Sequence, residues 1–263
     1  IWNGAAPGSL VTGGVLAALG SGSTGQTTIQ NNRRFYYAPD VALIQRRGAD
    51  PYYNLAIGSG YRGHPLHTET QDRFYSIRDR NPFGRLTQTQ YNSATAIRDS
   101  DLTDITPTPE QAAVPSSAPG WKLELDLNGG WIGEKILAEA LTIDGTILFP
   151  SYQPVPASSA DPCLPANGIN RAYALRVDTG RAAIDFNDSG TVDSSDLSQL
   201  LQQSGIAGEI SFILENVGRD AAGADALGRR SFCVVGTEIL GRCVVPGSVV
   251  RNYWRRVADD GGN

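Results

Sequence analysis

The side chains best suited to chemistry sit in one run, Asp185-Phe186-Asn187-Asp188-Ser189-Gly190-Thr191-Val192-Asp193-Ser194-Ser195-Asp196. Asp185, Asn187 and Ser189 put oxygen donors at the first, third and fifth positions. Gly190 falls at the sixth, where the chain must turn sharply, and Thr191 at the seventh offers its carbonyl. Asp193 at the ninth and Asp196 at the twelfth add carboxylates. This order is the EF-hand calcium-loop pattern, in which hard oxygens on a tight loop surround a cation that tolerates irregular geometry. Ca2+ is therefore the expected ligand, held by Asp185, Asn187, Ser189, Thr191, Asp193 and Asp196. Val192, at the eighth position, is expected to anchor the loop against the body. The closing residue departs from the pattern, being Asp196 rather than glutamate and one methylene shorter, and Ser189 is a neutral, weaker ligand. The alternative is an acidic surface turn followed by a helix capped by Asp193 or Ser194. The joint match of spacing, glycine and apolar residue favours the cation.

Other candidates are weaker. In Gly63-His64-Pro65-Leu66-His67-Thr68-Glu69, two histidines and a glutamate are suited to zinc. Pro65 breaks a helical arrangement, however, and a third strong ligand is not obvious, so a hydrogen-bonded turn is expected. No nucleophile-elbow or phosphate-loop spacing is present. The aromatic runs Phe35-Tyr36-Tyr37, Tyr52-Tyr53 and Phe74-Tyr75 are expected in the core. The arginine pairs Arg33-Arg34, Arg46-Arg47, Arg229-Arg230 and Arg255-Arg256 are expected on solvated faces. A net charge of −5 with no basic tract lacks the footprint of a nucleic-acid binder. No apolar stretch approaches the roughly 20 residues of a membrane-spanning helix.

The elements that must position the loop read as strands. Thirty glycines and fifteen prolines in 263 residues imply many turns. Trp121-Lys122-Leu123-Glu124-Leu125-Asp126-Leu127 alternates apolar and charged side chains, the signature of a half-buried antiparallel strand. Between Leu141-Thr142-Ile143 and Thr146-Ile147-Leu148-Phe149, Asp144-Gly145 supplies the two positive-φ residues of a tight hairpin. Further strands are expected at Asp40–Ile44, Tyr52–Ile57, Arg73–Ile77, Arg171–Val177, Glu209–Leu214, Phe232–Val235 and Val249–Trp254. Two Pro-rich loops, Asp101–Gly120 and Ser151–Asn170, separate them. One helix is expected at Asp196–Gln203, where Leu197, Leu200 and Leu201 form a stripe ended by Ser204-Gly205; with the acidic loop it makes an inserted unit over 185–204. Strands closing on an Asp178-Thr179-Gly180 turn, with Arg73–Asp79 as a weaker version, suggest a β-propeller. A β-sandwich is the rival all-β architecture. The chain opens at Ile1 and has no methionine, so it reads as a portion of a longer or processed protein.

Arg33-Arg34-Phe35-Tyr36-Tyr37-Ala38-Pro39-Asp40-Val41-Ala42, then Ile57-Gly58-Ser59-Gly60-Tyr61-Arg62-Gly63-His64-Pro65-Leu66, running on to Gln71-Asp72-Arg73-Phe74-Tyr75, resemble the PilY-type family of type IV pilus tip-associated proteins. Ala172-Tyr173-Ala174-Leu175, Asp178-Thr179-Gly180, the acidic loop and Tyr253-Trp254-Arg255 continue the resemblance in order. It implies that residues 1–263 are a C-terminal, quinoprotein-like β-propeller portion without enzymatic activity, usually preceded by a von Willebrand factor A-type region. It further implies export to the cell surface, outer membrane or pilus tip, minor pilins or other tip components as partners, and roles in pilus biogenesis, twitching motility and adhesion. Calcium regulation is associated with some members. No Arg-Gly-Asp tripeptide occurs; Gly218-Arg219-Asp220 has another order.

Two rivals remain. A quinone-dependent dehydrogenase on the same propeller would carry pyrroloquinoline quinone and calcium in its central channel, often beside adjacent cysteines, and none are adjacent here. A dockerin needs two acidic repeats, and Asp185–Leu201 supplies one. In an exported chain, Cys233 and Cys243 are expected to form a disulfide, leaving Cys163 unpaired.

Overall fold

Alternating and continuous apolar runs become strands throughout the computed structural model, which describes residues 12–20, 27–81, 84, 86–106, 113–126, 130–155, 167–216 and 229–242. In chain order these are β1 (Ala17–Ala18), β2 (Asp40–Ile44), β3 (Tyr52–Gly58), β4 (Arg73–Asp79), the helix α1 (Gln88–Ser93), β5 (Ile97–Arg98), β6 (Thr103–Asp104), β7 (Gly120–Glu124), β8 (Leu141–Ile143), β9 (Thr146–Gln153), β10 (Ile169–Arg176), β11 (Ser198–Leu201), β12 (Ile210–Asn216), β13 (Arg229–Val235) and β14 (Glu238–Arg242). They assemble into sheets ordered β2-β3-β4-β7-β6, β11-β10-β9-β8 and β12-β13-β14, with a small parallel pair β1-β5. The chain is all-β in class, and neighbouring strands in each large sheet are mostly neighbours in sequence. Val249–Trp254, Leu127, Cys163, Cys243 and Arg255-Arg256 lie outside the described residues.

The three large sheets are layered in series, and the middle one is covered on both sides. Ile147, Phe149, Tyr173 and Leu175 pack with Phe74, Trp121 and Leu123 of the first sheet. Their strand neighbours Leu148, Ala172 and Ala174 pack with Ile210, Cys233, Val235 and Leu240 of the third. Period-2 alternation therefore sends successive residues into two different cores, which is why Ile147-Leu148-Phe149 and Ala172-Tyr173-Ala174-Leu175 carry no polar positions. The far side of the first sheet is closed by Tyr75, Ile77, Leu19 and Leu102, beneath β1 and β5. Between the first two layers the rings of Phe74 and Phe149 stack at 3.7 Å, and Phe149 stacks on Tyr173 at 4.9 Å.

Polar contacts fasten the layers. The Asp178-Thr179-Gly180 turn after β10 accepts a bond from Trp121 Nε1 at the Val177 carbonyl (2.8 Å) and one from Arg78 Nη2 at the Asp178 carbonyl (2.8 Å). Gly180 has φ +68°, and an added Cβ would lie 2.4 Å from Ile105 Cδ1, so both handedness and space demand glycine there. Asp144 (φ 46°) and Gly145 (φ 73°) form the expected hairpin turn.

The charged face of the Trp121 strand is not solvated as the alternation implied. Lys122 and Glu124 lie in a largely buried ion cluster around Asp99. Asp99 accepts from Lys122 Nζ (2.8 Å), the Tyr75 hydroxyl (2.9 Å) and Arg73, with Arg33 at 3.5 Å. Arg73 also pairs with Glu124 at 2.7 Å. Arg33, expected in solvent, is 5 % exposed and donates to the Leu19 carbonyl. α1, which no apolar stripe announces, buries none of its residues and is fixed by a Thr87–Gln90 capping box.

Pro150 sits inside β9, opposite Ala172. Tyr152, two residues on, donates to Lys135 on the side away from β10, so the nitrogen of Pro150 faces that side too. There the partner strand bulges: the six-residue step from Lys135 to Leu141 faces the four-residue step from Tyr152 back to Leu148. The proline thus breaks no ladder bond.

Two outcomes follow. Phe149→Ala should lower the unfolding free energy by about 3–5 kcal/mol, read as a shifted urea midpoint at unchanged slope. Burial opposes the charge of Asp99, but Arg73 and Lys122 outweigh it and bring its pKa down to about 2. A carboxyl depressed below its unfolded value stabilises the fold above that value and loses its contribution as pH falls through the folded one. Stability should therefore drop between about pH 4 and pH 2, and Asp99→Asn should flatten that drop; an unchanged slope in the variant would refute the assignment.

Candidate functional site

Beyond the Asp178-Thr179-Gly180 turn the chain folds back along β10, with Ala183 N donating to Ala174 O at 2.9 Å. Ile184 then enters the core between the second and third sheets, and Leu197 enters the one between the first and second. Between these two anchors Asp185–Ser195 projects outward. Asp188 (φ 54°) and Gly190 (φ 86°) turn the backbone left-handed, which winds the segment around its own oxygens.

Asp185 accepts from Ser189 N (3.1 Å) and Gly190 N (2.7 Å), and Asn187 Oδ1 accepts from the same Ser189 N at 2.9 Å. The side-chain oxygens of Asp185 and Asn187 therefore converge. Ser189 Oγ lies 2.9 Å from the Thr191 carbonyl, which brings a third and fourth oxygen together. Asp193 Oδ1 accepts from Ser195 N (2.8 Å) and Ser195 Oγ (2.7 Å), and Asn187 Nδ2 donates to Ser195 Oγ (2.7 Å). Ser195, outside the expected ligand set, thus links two members of it; position eleven of the pattern is unconstrained and carried no signal. The Asp193 carboxyl is held below its usual range by these Ser195 bonds.

Asp196 behaves differently. It is fully buried, and its carboxylate accepts from Phe186 N (2.9 Å), Asn187 N (3.3 Å) and Asp193 N (3.0 Å). It clasps the two ends of the loop. Among the described residues no three His, Cys, Asp or Glu side chains gather as a metal-holding group. Any cation here must rely on neutral oxygens beside the carboxylates, and Asn187, Ser189 and the Thr191 carbonyl are oxygens of that kind.

Two expectations fail locally. The helix over Asp196–Gln203 is absent: a 3-10 turn spans Ser194–Asp196, capped by Asp193, and Ser198–Leu201 is strand β11. β10 pairs with it from Asn170↔Leu201 to Tyr173↔Ser198, so sheet hydrogen bonds override the leucine stripe. Val192 is 50 % exposed and anchors nothing; Ile184, Phe186 and Leu197 do so.

The histidine pair is a turn, as expected. The rings of His64 and His67 lie 6.1 Å apart, edge to face. His67 Nε2 is 3.0 Å from Thr70 Oγ1, whose hydroxyl donates to the Ile29 carbonyl, which assigns the His67 proton to Nε2. Beneath them the buried Lys135 ammonium donates to the carbonyls of Pro65 (2.9 Å), His67 (2.7 Å) and Gly133, and so supplies this turn with its own cation. Burial lowers Lys135 to about 8. Of the aromatic residues expected in the core, Tyr75 and Phe74 are buried but Tyr36 is 52 % exposed, stacked on Tyr61.

No known protein-family model and no curated protein matches the sequence. Among solved structures, the fold is similar to the crystal structure of the Pseudomonas aeruginosa PilY1 C-terminal domain, with a TM-score of 0.55 at 16% identity, over 87% of this chain and 48% of that one. The chain therefore spans about half the length of that domain and shares its fold. No described helix is long and apolar enough to cross a membrane.

Removing the clasp should cost more than removing an exposed ligand. Asp196→Ala leaves three backbone donors without their acceptor and should destabilise by about 1–3 kcal/mol. Asp185→Ala, on the exposed side, should cost about 0.5 kcal/mol. Urea unfolding in the presence of chelator compares them; equal losses would remove the distinction.

Proposed function

We propose that this chain is part of a non-enzymatic, type IV pilus tip-associated protein that supports pilus biogenesis, twitching motility and surface adhesion, with calcium held at Asp185–Asp196. The observation that carries this reading is the fold likeness to the PilY1 C-terminal domain over 87% of the chain, which agrees with the family-like blocks between Arg33 and Arg256. On this reading the three large sheets are consecutive blades of a quinoprotein-like propeller. Each is a largely antiparallel run of sequence neighbours packed face to face on the next, as propeller blades are. Cys233 is disulfide-bonded, which supports an oxidising, exported location. The tip partners are minor pilins or other tip components.

For calcium, the support is the donor chemistry. The residues fit a hard cation in type and order, with the side-chain oxygens of Asp185 and Asn187 meeting at Ser189 N and Ser189 Oγ lying beside the Thr191 carbonyl. Bound calcium would supply charge neutralisation to a loop whose shape is otherwise kept by its own backbone donors. The folded chain would gain about 2.7 kcal/mol at a hundredfold excess of calcium over the dissociation constant.

Calorimetric titration should show one calcium site, abolished by Asp185→Ala with Asp193→Ala; no heat and no thermal shift would reduce the loop to a turn. Deleting the gene should impair surface piliation, twitching and attachment. Normal piliation, twitching and attachment in the deletion strain would sink the pilus assignment, and full rescue by the double variant would discard the calcium control alone.

A further inference from the structure

A crevice of about 390 Å³ separates the Asp178-Thr179-Gly180 hairpin from the acidic loop. Arg176 and Arg181 stand on its hairpin side, Ala182, Ala183 and Leu197 line its floor, and Val192, Asp193 and Ser194 form the opposite wall. The two arginines close the same turn: Arg176 N donates to the Arg181 carbonyl at 2.8 Å, which sets both side chains on one rim. Neither guanidinium is closely held by a described residue. Arg181 is exposed, and its side chain makes no hydrogen bond or ion pair with any described residue. Arg176 is half exposed, with only Asp178 Oδ1 at 3.8 Å, and Asp178 is already held by Arg46 at 2.6 Å. One unpaired and one loosely paired guanidinium beside an apolar floor are suited to a carboxylate, because each fork can donate two parallel bonds.

We propose that this crevice binds the carboxylates of an acidic peptide segment of a protein partner, and that a cation in the neighbouring loop strengthens that binding. The second half rests on the calcium reading above. Its physical basis is Asp193, the residue shared by the two sites. Its carboxylate is exposed on the crevice wall, forms no ion pair with any described residue, and repels an incoming carboxylate. A divalent ion bound at Asp193 cancels that repulsion, so peptide and ion assist one another through one shared charge. Val192, half exposed on the same wall, offers an apolar contact to the peptide backbone.

The test uses the whole chain and a fluorescein-labelled peptide with two consecutive glutamates, its counterpart with two glutamines serving as control, read by anisotropy. Calcium should tighten the glutamate peptide by at least about fivefold. Arg176→Ala and Arg181→Ala should each weaken it roughly tenfold while leaving the calorimetric calcium site intact. Asp193→Asn should bind the peptide in chelator about as tightly as the wild type does in calcium. Equal binding of the glutamine peptide, or arginine variants that bind like wild type, overturns the crevice even where calcium binds. Arginine-dependent glutamate binding with no calcium heat upholds the crevice and rejects the calcium reading.

Discussion

The contact on which the layered structure depends is the stack of Phe74 on Phe149, with rings 3.7 Å apart and 4° from parallel. Among the described residues the large sheets share no strand pairing with one another, so side chains do most of the joining of the first to the second, beside one backbone bond from Ile136 N to the Ser59 carbonyl. Phe149 is held from behind by Tyr173 in the same sheet, and Tyr173 is held in turn by its hydroxyl on Glu134 (2.7 Å). A flat ring with a second ring behind it has one orientation available, which fixes the angle at which the layers meet. The bonds from Trp121 and Arg78 to the turn after β10 then lock a position the rings have already chosen. Aromatic pairs of this kind add about 0.5–1.5 kcal/mol beyond their buried area, but here the geometric constraint matters more than the energy.

That constraint reaches the loop. Its two ends are set by Ile184 and Leu197, which belong to different cores. The loop therefore straddles the middle sheet, and the separation of its ends is a property of layer spacing. The buried Asp196 carboxylate converts that fixed separation into a closed ring by taking three backbone donors. What faces outward is then a surface of oxygens on one side and the guanidinium groups of Arg176 and Arg181 on the other.

Much of this was legible in the residues. β2 occupies the expected Asp40–Ile44, and the Asp144-Gly145 hairpin turned where its positive-φ residues said it would. Short-range geometry is written locally, and so it reads directly. Ser198–Leu201 was misread because its leucine stripe satisfies a helix as well as it does an edge strand; only the presence of β10 alongside decides. The same holds for Lys122 and Arg33, whose burial depends on Asp99 arriving from a distant turn. Charge alternation records that a face is polar, and says nothing about whether the polar partner is water or protein. The oxygen ligands were legible as a spacing, whereas Ser195 and the arginine crevice required the three-dimensional return of the hairpin.

Pro150 has a reach well beyond its own strand. Lacking an N–H, it leaves the Ile136–Ala140 stretch opposite without a donor, and that stretch bows away from β9. The bowing frees the Leu137 carbonyl for Arg62 (3.0 Å), while Ile136 N, turned from β9 by alternation, meets the Ser59 carbonyl (2.9 Å). Both contacts belong to the segment that carries Tyr61, His64 and His67. A single imino ring in the second sheet thus acts as a spacer that decides where an aromatic and imidazole surface hanging from the first sheet comes to rest.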